Sequence, residues 1–126
     1  MKNMKEVLQG IFENARKEMP ELLAMGVTKN EDGMALAESK IDPNFKTDEA
    51  NAYGNKAVNA CKKAGKAMSQ KNELKEVMMI IPGIFLMFRI IGPKYWIGIA
   101  LAPNANIGIT RVLLKKFEEE LMKTLY

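Results

Sequence analysis

Histidine is absent from the 126-residue sequence, and cysteine occurs once, as Cys61. Without histidine the chain cannot build a Ser-His-Asp or Cys-His nucleophile system, or an imidazole metal site. A single cysteine excludes an intrachain disulfide and a thiolate cluster, and its position among alanines in a helical pattern predicts a small, buried, apolar side chain. Because this cysteine content is typical of a reducing compartment, we expect a cytoplasmic protein.

Phosphate-binding signatures are also missing. The sequence contains no Gly-x-Gly-x-x-Gly loop, and Ala60 stands where a Walker motif needs its first glycine. The acidic residues 118–120 lie on a predicted helix whose apolar stripe points elsewhere, which disfavours a desolvated pair of catalytic carboxylates. We therefore expect a protein without catalytic residues, metals or cofactors, in which Arg89 and Arg111 serve as ion-pair or packing residues.

The sequence has one long apolar stretch, residues 77–102, about the length of a membrane span. Pro82-Gly83 and Gly92-Pro93 divide it, and Arg89 and Lys94 are costly inside a bilayer. The stretch therefore predicts three consecutive strands rather than a transmembrane helix. They span residues 73–81, 84–91 and 95–102. The last of them is apolar on both faces, which is typical of a central strand covered on both sides.

The first part of the chain predicts a helix followed by a hairpin. A capping-box pair, Asn3 and Glu6, begins a helix that ends before Pro20. Two strand patterns follow, residues 22–28 and 34–41, joined by a loop that contains a glycine suited to positive φ.

A second helix is predicted from an N-cap at Thr47 to about Gln70, and a third after a cap at Asn104 or Asn106. The apolar stripe of the third comprises Ile109, Val112, Leu113, Phe117, Leu121 and Leu125. The second has an alanine-rich stripe that comprises Ala50, Tyr53, Ala57, Ala60, Cys61, Ala64, Ala67 and Met68. Its small side chains permit close packing on the sheet of the same chain; the alternative is that part of the stripe also meets the same helix of a second copy.

The predicted order is helix, two strands, helix, three strands, helix. A meander of strands with inserted helices indicates an α+β fold in which an antiparallel sheet is covered by helices on both faces. At this length we expect a single domain over residues 1–126.

Positive charge is concentrated on the second helix. The net charge of the chain is +4, and residues 48–72 contain five lysines but only two acidic residues, Asp48 and Glu49. These lysines either form a solvated helix face or a contact surface for an acidic partner. Stacking on single-stranded nucleic acid is disfavoured, because the aromatic residues of the long apolar stretch are predicted to be buried in strands. They are Phe85, Phe88, Tyr95 and Trp96.

Three motifs, taken in order, resemble those of a known family. They are Asp-Gly-Met-Ala-Leu-Ala at residues 32–37, Glu-Val-Met-Met-Ile at 76–80 and Ala-Asn-Ile-Gly-Ile-Thr-Arg at 105–111. The last is similar to an Ala-Asn-Leu-Gly-x-x-Arg segment of the roadblock family. This family contains the roadblock-type dynein light chains and small bacterial and archaeal partners of Ras-like GTPases.

The resemblance implies a five-stranded antiparallel sheet in the order 2-1-5-4-3, with the first and third helices on one face and the second on the other. It also implies a homodimer in which the third strands pair edge to edge and the second helices pack together. The expected interface residues are Ala57, Ala60, Ala64, Val77, Met78, Met79 and Ile80.

For function, the resemblance implies a non-catalytic regulator or scaffold that binds a Ras-like small GTPase and either stimulates or localises it. The expected contacts to acidic groups of this partner are Lys56, Lys62, Lys63 and Lys66. The alternative is a constitutive structural adaptor of the dynein-light-chain kind, which assembles a larger complex regardless of nucleotide. Neither a nucleic-acid partner nor a transmembrane segment is expected.

Overall fold

The computed structural model of the protein describes residues 3–69 and 73–126. The helices are α1 (Met4–Glu18), α2 (Thr47–Met68) and α3 (Ile107–Leu125), and the strands are β1 (Leu22–Lys29), β2 (Ala35–Lys40), β3 (Glu76–Ile81), β4 (Ile84–Ile91) and β5 (Tyr95–Leu101). Their order is the predicted one. β3 begins three residues later than predicted, after the exposed side chains of Glu73 and Lys75, and the predicted helix end near Gln70 lies outside the described residues.

The five strands form one antiparallel sheet in the order β2-β1-β5-β4-β3. This confirms the predicted α+β fold and strand order. β5 is central, and its consecutive residues Trp96 and Ile97 are each 1% exposed, as expected for a strand covered on both faces. The strands β3, β4 and β5 occupy the long apolar stretch, and none of the described helices is long and apolar enough to cross a membrane.

Buried side chains form two clusters, one on each face of the sheet. The larger cluster joins α1 and α3 to the strands and includes Met87 of β4. The smaller contains Val58 of α2 together with Phe88 and Trp96. Met87 and Phe88 are neighbours in one strand, so their side chains point to opposite faces. α2 therefore packs on one face, and α1 and α3 pack on the other.

Two of the predicted caps are present. The side-chain oxygen of Asn3 accepts a hydrogen bond from the backbone N–H of Glu6 at 2.9 Å, and that of Asn106 accepts one from Ile109 at 3.0 Å. The predicted cap at Thr47 is wrong. The capping position is Lys46, and Thr47 is the first helical residue, with its side chain lining a small space between α2 and the sheet.

The buried face of α3 differs from the predicted stripe. Ile109 and Val112 are 59% and 70% exposed. The buried residues are Thr110, Leu114, Phe117, Leu121 and Leu125. The hydroxyl of Thr110 donates to the carbonyl of Asn106 at 2.8 Å, so this polar residue enters the core with its hydrogen bond already made.

Cys61 is half-buried rather than buried, because it lies at the side of α2 between the residues that face the sheet and those that face outward. The prediction of a fully buried cysteine is therefore wrong.

Candidate functional site: a protein-interaction surface

The two edge strands of the sheet differ in polarity. β2 ends in the polar sequence Glu-Ser-Lys at residues 38–40, whereas β3 is apolar after Glu76. Among the described residues, β4 is the strand that pairs with β3, and Met79, Ile80 and Ile81 are 37%, 66% and 42% exposed. An apolar edge of this kind favours the addition of another strand. β3 is therefore the edge of the sheet most suited to an interface.

Side chains of β3 alternate between the two faces of the sheet. Val77 packs against the smaller cluster beneath α2, whereas Met78 packs against the larger one. By the period of a strand, Met79 and Ile81 lie on the α2 face and Ile80 lies on the other. The exposed apolar residues of β3 thus continue directly into the side of α2.

α2 approaches the sheet closely at Gly54. This residue and Val58 are the buried residues of the helix, and a Cβ added to Gly54 would lie 2.8 Å from Cε1 of Phe88. Phe88 and Trp96 meet edge to face beneath the helix, with their ring centroids 5.2 Å apart. A glycine in this position lets the helix backbone rest on the aromatic pair.

Two asparagines fix the rotation of α2. Trp96 donates its indole N–H to the side-chain oxygen of Asn55 at 2.9 Å, and the Asn55 amide donates to the carbonyl of Asn30 at 3.1 Å. One turn earlier, the Thr28 hydroxyl donates to the side-chain oxygen of Asn51 at 3.4 Å. None of these contacts was predicted from the sequence. The available signal was the pair of asparagines one turn apart, on the same side as Gly54.

The alanine-rich stripe of α2 is turned away from the sheet. Ala60, Ala64 and Ala67 are exposed, Ala57 is half-buried, and Tyr53 is 66% exposed. Most of this stripe therefore does not pack on the sheet of its own chain, although Ala50 lines a space that it shares with sheet residues. The sheet-facing side is formed instead by the glycine, the valine and the two asparagines.

An apolar groove connects the alanine-rich stripe to β3. Ala50 and Tyr53 line one wall, and Met79 and Ile81 line the other. Leu86 and Phe88 of β4 belong to the same groove. We call this groove, the exposed alanines of α2 and the free edge of β3 the α2–β3 surface. Of the expected interface residues, Ala60, Ala64, Met79 and Ile80 are exposed on it, whereas Ala57, Val77 and Met78 are half-buried.

The four lysines expected to contact a partner form two pairs rather than one patch. Lys56 and Lys63 are exposed and lie two turns apart, and the ammonium of Lys56 is 5.4 Å from the centre of the Tyr53 ring. Lys62 and Lys66 lie one turn apart on the side of α2 opposite the alanine-rich stripe.

Lys62 and Lys66 border an open groove. Its other walls come from residues 73–75, from the end of β4 with the turn that follows it, and from Glu118 and Met122 of α3. Partial burial lowers the pKa of the Lys62 ammonium below its ordinary value, and the charge of Lys66 lowers it further. An acidic group placed in this groove would oppose both effects, because a nearby negative charge stabilises the charged ammonium.

A network of charged side chains ties β3 to the rest of the fold. Glu76 accepts hydrogen bonds from Nε and Nη2 of Arg111 at 3.1 and 2.9 Å, and lies 3.5 Å from Arg89. Arg89 also donates to Glu118 at 3.1 Å. The expectation that Arg89 and Arg111 are ion-pair residues is confirmed.

In the described ranges 3–69 and 73–126, no group of three or more acidic, cysteine or histidine side chains is placed to hold a metal ion.

Neither a protein-family model nor a curated protein matches the sequence. Solved structures do match the fold. MglB of Myxococcus xanthus has a TM-score of 0.86 at 15% identity, with 99% of this chain and 92% of that chain covered. The gliding protein MglB of Thermus thermophilus has a TM-score of 0.84 at 14% identity, with coverage of 98% and 92%.

A Roadblock/LC7 domain from Streptomyces avermitilis matches with a TM-score of 0.81 at 12% identity, and 98% of each chain is covered. At these identities the similarity concerns the fold. Together with the strand order and the position of the three helices, it shows that the chain has the roadblock-type fold.

Proposed function

We propose that the protein is a non-catalytic homodimeric regulator or scaffold that binds a Ras-like small GTPase. The observation that supports this most strongly is the α2–β3 surface, where an apolar strand edge continues into an exposed face of small side chains. The roadblock-type fold and the three sequence motifs support the same function, because the family they resemble contains small GTPase partners.

In the proposed homodimer, a second copy of the chain covers the α2–β3 surface. Pairing of β3 with β3 of a second copy satisfies the free backbone groups of both strands and covers Met79, Ile80 and Ile81. Alanines allow two α2 helices to approach closely on the same side. One MglB with this fold is described as having a tetrameric arrangement, so association through this fold has a precedent.

The GTPase partner is proposed to contact the lysines of α2. Lys62 and Lys66 lie on the side of the helix away from the dimer surface, so both remain accessible when two copies associate. The protein would act by binding one switch conformation of the GTPase more tightly than the other. The population shift it produces is limited by that difference in affinity.

The test is affinity capture from a lysate of the source organism, run in parallel with excess GDP and with a non-hydrolysable GTP analogue. The proposal predicts that a small GTPase is enriched in one of the two arms. Equal capture of the same proteins in both arms would contradict it, and would favour the constitutive adaptor.

A charge-reversal variant identifies the contact surface. Lys62→Glu/Lys66→Glu should weaken capture of the GTPase at least about tenfold, because two attractive charges become repulsive. Lys115→Glu/Lys123→Glu, two exposed substitutions on α3 with the same change in net charge, is the matched control. The Lys62→Glu/Lys66→Glu variant should keep the mass of the wild-type dimer. Unchanged capture by that variant would remove this groove from the proposed contact.

A further inference from the structure

We infer the register in which β3 of two copies would pair: Met78 of each strand lies on the two-fold axis. This inference rests on the homodimer proposed above and specifies how its strands meet. Three observations support it: the alternation of backbone hydrogen-bonding groups along β3, the position of Pro82, and the direction of α2 relative to the strand.

One hydrogen bond shows which backbone groups of β3 point toward β4 and which point to the free edge. The N–H of Ile90 donates to the carbonyl of Lys75 at 3.0 Å, and these two residues are directly opposite when the register Glu76↔Arg89 is extended by one residue. Hydrogen-bonded pairs in an antiparallel ladder recur at every second residue. Lys75, Val77, Met79 and Ile81 therefore direct their backbone groups toward β4. The backbone groups of Glu76, Met78 and Ile80 point to the free edge.

Registers related by a two-fold axis differ in how many outward-facing residues of β3 they pair. If Met78 lies on the axis, it faces Met78 of the second copy, and Glu76 faces Ile80 of the second copy. All three outward-facing residues of each strand then pair with an outward-facing residue, which gives six hydrogen bonds in the ladder.

The neighbouring registers are poorer. With Met79 on the axis, Glu76 faces Pro82 of the second copy, and proline has no N–H to donate. With Val77 on the axis, Ile80 faces Leu74 of the second copy, which lies outside the strand. Each of these registers leaves backbone groups at the end of β3 without a strand partner.

The side chains agree with the Met78 register. On the α2 face, Val77 stands opposite Met79 of the second copy in a pair without backbone hydrogen bonds, where side chains are closest. On the other face, the carboxylate of Glu76 is already bound by Arg111 and Arg89. No two like charges are opposite one another in this register.

The direction of α2 also fits a two-fold axis at Met78. Residues 46–54 share a groove with Met79 and Ile81, whereas Gly65 and Met68 share one with residues 73–76. α2 therefore runs antiparallel to β3, and Ala57 and Ala60 lie level with the middle of the strand. A two-fold axis at Met78 brings the two helices together where their side chains are small.

Cysteine cross-linking tests the register, with Cys61→Ala as the background. Val77→Cys and Met79→Cys are prepared as separate chains, mixed, and oxidised under mild conditions. Opposite residues in such a pair have Cα atoms about 4.5 Å apart, within the range of a disulfide. We expect the mixture to form the 77–79 cross-link several-fold faster than either variant forms a disulfide with itself.

Other outcomes overturn the inference. Faster self-cross-linking of Met79→Cys places Met79 on the axis, and faster self-cross-linking of Val77→Cys places Val77 there. The mass of the Cys61→Ala protein, measured by light scattering without oxidant, separates the two proposals. A dimer that gives no 77–79 cross-link overturns the register alone, whereas a monomer overturns the proposed homodimer as well.

Discussion

Glu76 connects the free edge of the sheet to the interior of the molecule. Its carboxylate is only 14% exposed and is shared by Arg111 of α3 and Arg89 of β4. Charged hydrogen bonds of this kind are stronger than neutral ones, and removing the carboxylate takes a partner from Arg89, whose side chain is only 19% exposed. This residue holds the start of β3 against the rest of the fold.

Glu76→Gln should lower the free energy of unfolding by about 1 to 2 kcal/mol, because the two arginines lose a shared negative charge. The measurement is urea denaturation of the variant and of Glu119→Gln, an exposed control on α3. The control should change stability by less than about 0.5 kcal/mol. Equal effects of the two substitutions would show that the network adds nothing to stability.

Lys62 gives the protein a pH-dependent stability with a defined sign. Burial and the neighbouring charge of Lys66 lower its pKa below 10.5, so the charged form is disfavoured in the folded state. Between the lowered pKa and 10.5, the unfolded chain binds more protons at this site than the folded chain. The stability contributed by this residue therefore rises with pH across that window.

Lys62→Gln should be at least as stable as the wild type near neutral pH, and its advantage should shrink as the pH approaches 10.5. Denaturation at a series of pH values provides the comparison. Lys63→Gln, on the exposed face of α2, corrects for the loss of one positive charge. If the two variants follow the same pH profile, the environment of Lys62 has no effect on stability.

At the scale of elements, α2 depends on glycine for its contact with the sheet. Gly54 and Gly10 are both within helices, but an added Cβ clashes with Phe88 at Gly54 and meets nothing within 4 Å at Gly10. Gly10→Ala should therefore stabilise the protein by roughly 0.5 to 1 kcal/mol through helix propensity alone.

Gly54→Ala should instead destabilise the protein by about 1 kcal/mol, because overpacking against Phe88 exceeds the same gain in helix propensity. Thermal unfolding of the two variants measures both effects. Since Trp96 is the single tryptophan and lies beneath α2, its fluorescence reports any displacement of the helix. Stabilisation by both substitutions would contradict the close contact described for α2.

The order of elements could be predicted from the sequence because strand punctuation is a local signal, whereas the strand order of the sheet was implied by the family resemblance that the three motifs carry. The rotation of the helices could not. In α3, apolar residues at helical spacing allow either of two sides of the helix to face the core. The side that is buried includes Thr110, because its hydroxyl donates to a carbonyl of its own helix. In α2, the sheet-facing side contains Asn51 and Asn55, whose partners lie far away in sequence.

The candidate site was predicted only at the level of elements. The free edge of β3 and three alanines of α2 are exposed, which leaves the implied interface a prediction, and the four lysines divide into two pairs. The sequence places these lysines on one helix without showing which side of it faces the sheet. The sheet-facing side is formed by small residues and asparagines. Hydropathy does not identify such residues as buried.

At the scale of the whole molecule, α2 presents two surfaces with different chemistry. Its alanine-rich side continues into the apolar edge of β3, whereas Lys62 and Lys66 border the groove on the opposite side. Association of two copies through the first surface leaves the second accessible. Substitutions can therefore separate self-association from partner binding.

The central claim is that the α2–β3 surface joins two copies of the chain, and the most direct test is the mass of the particle in solution. Light scattering at micromolar concentration should give the mass of two 14.1 kDa chains for the wild type. Met79→Asp, which buries a charge in the interface, should give the mass of one chain with unchanged circular dichroism. Ser39→Asp, on the opposite edge strand β2, should remain a dimer. A wild-type protein with the mass of a single chain would contradict the account.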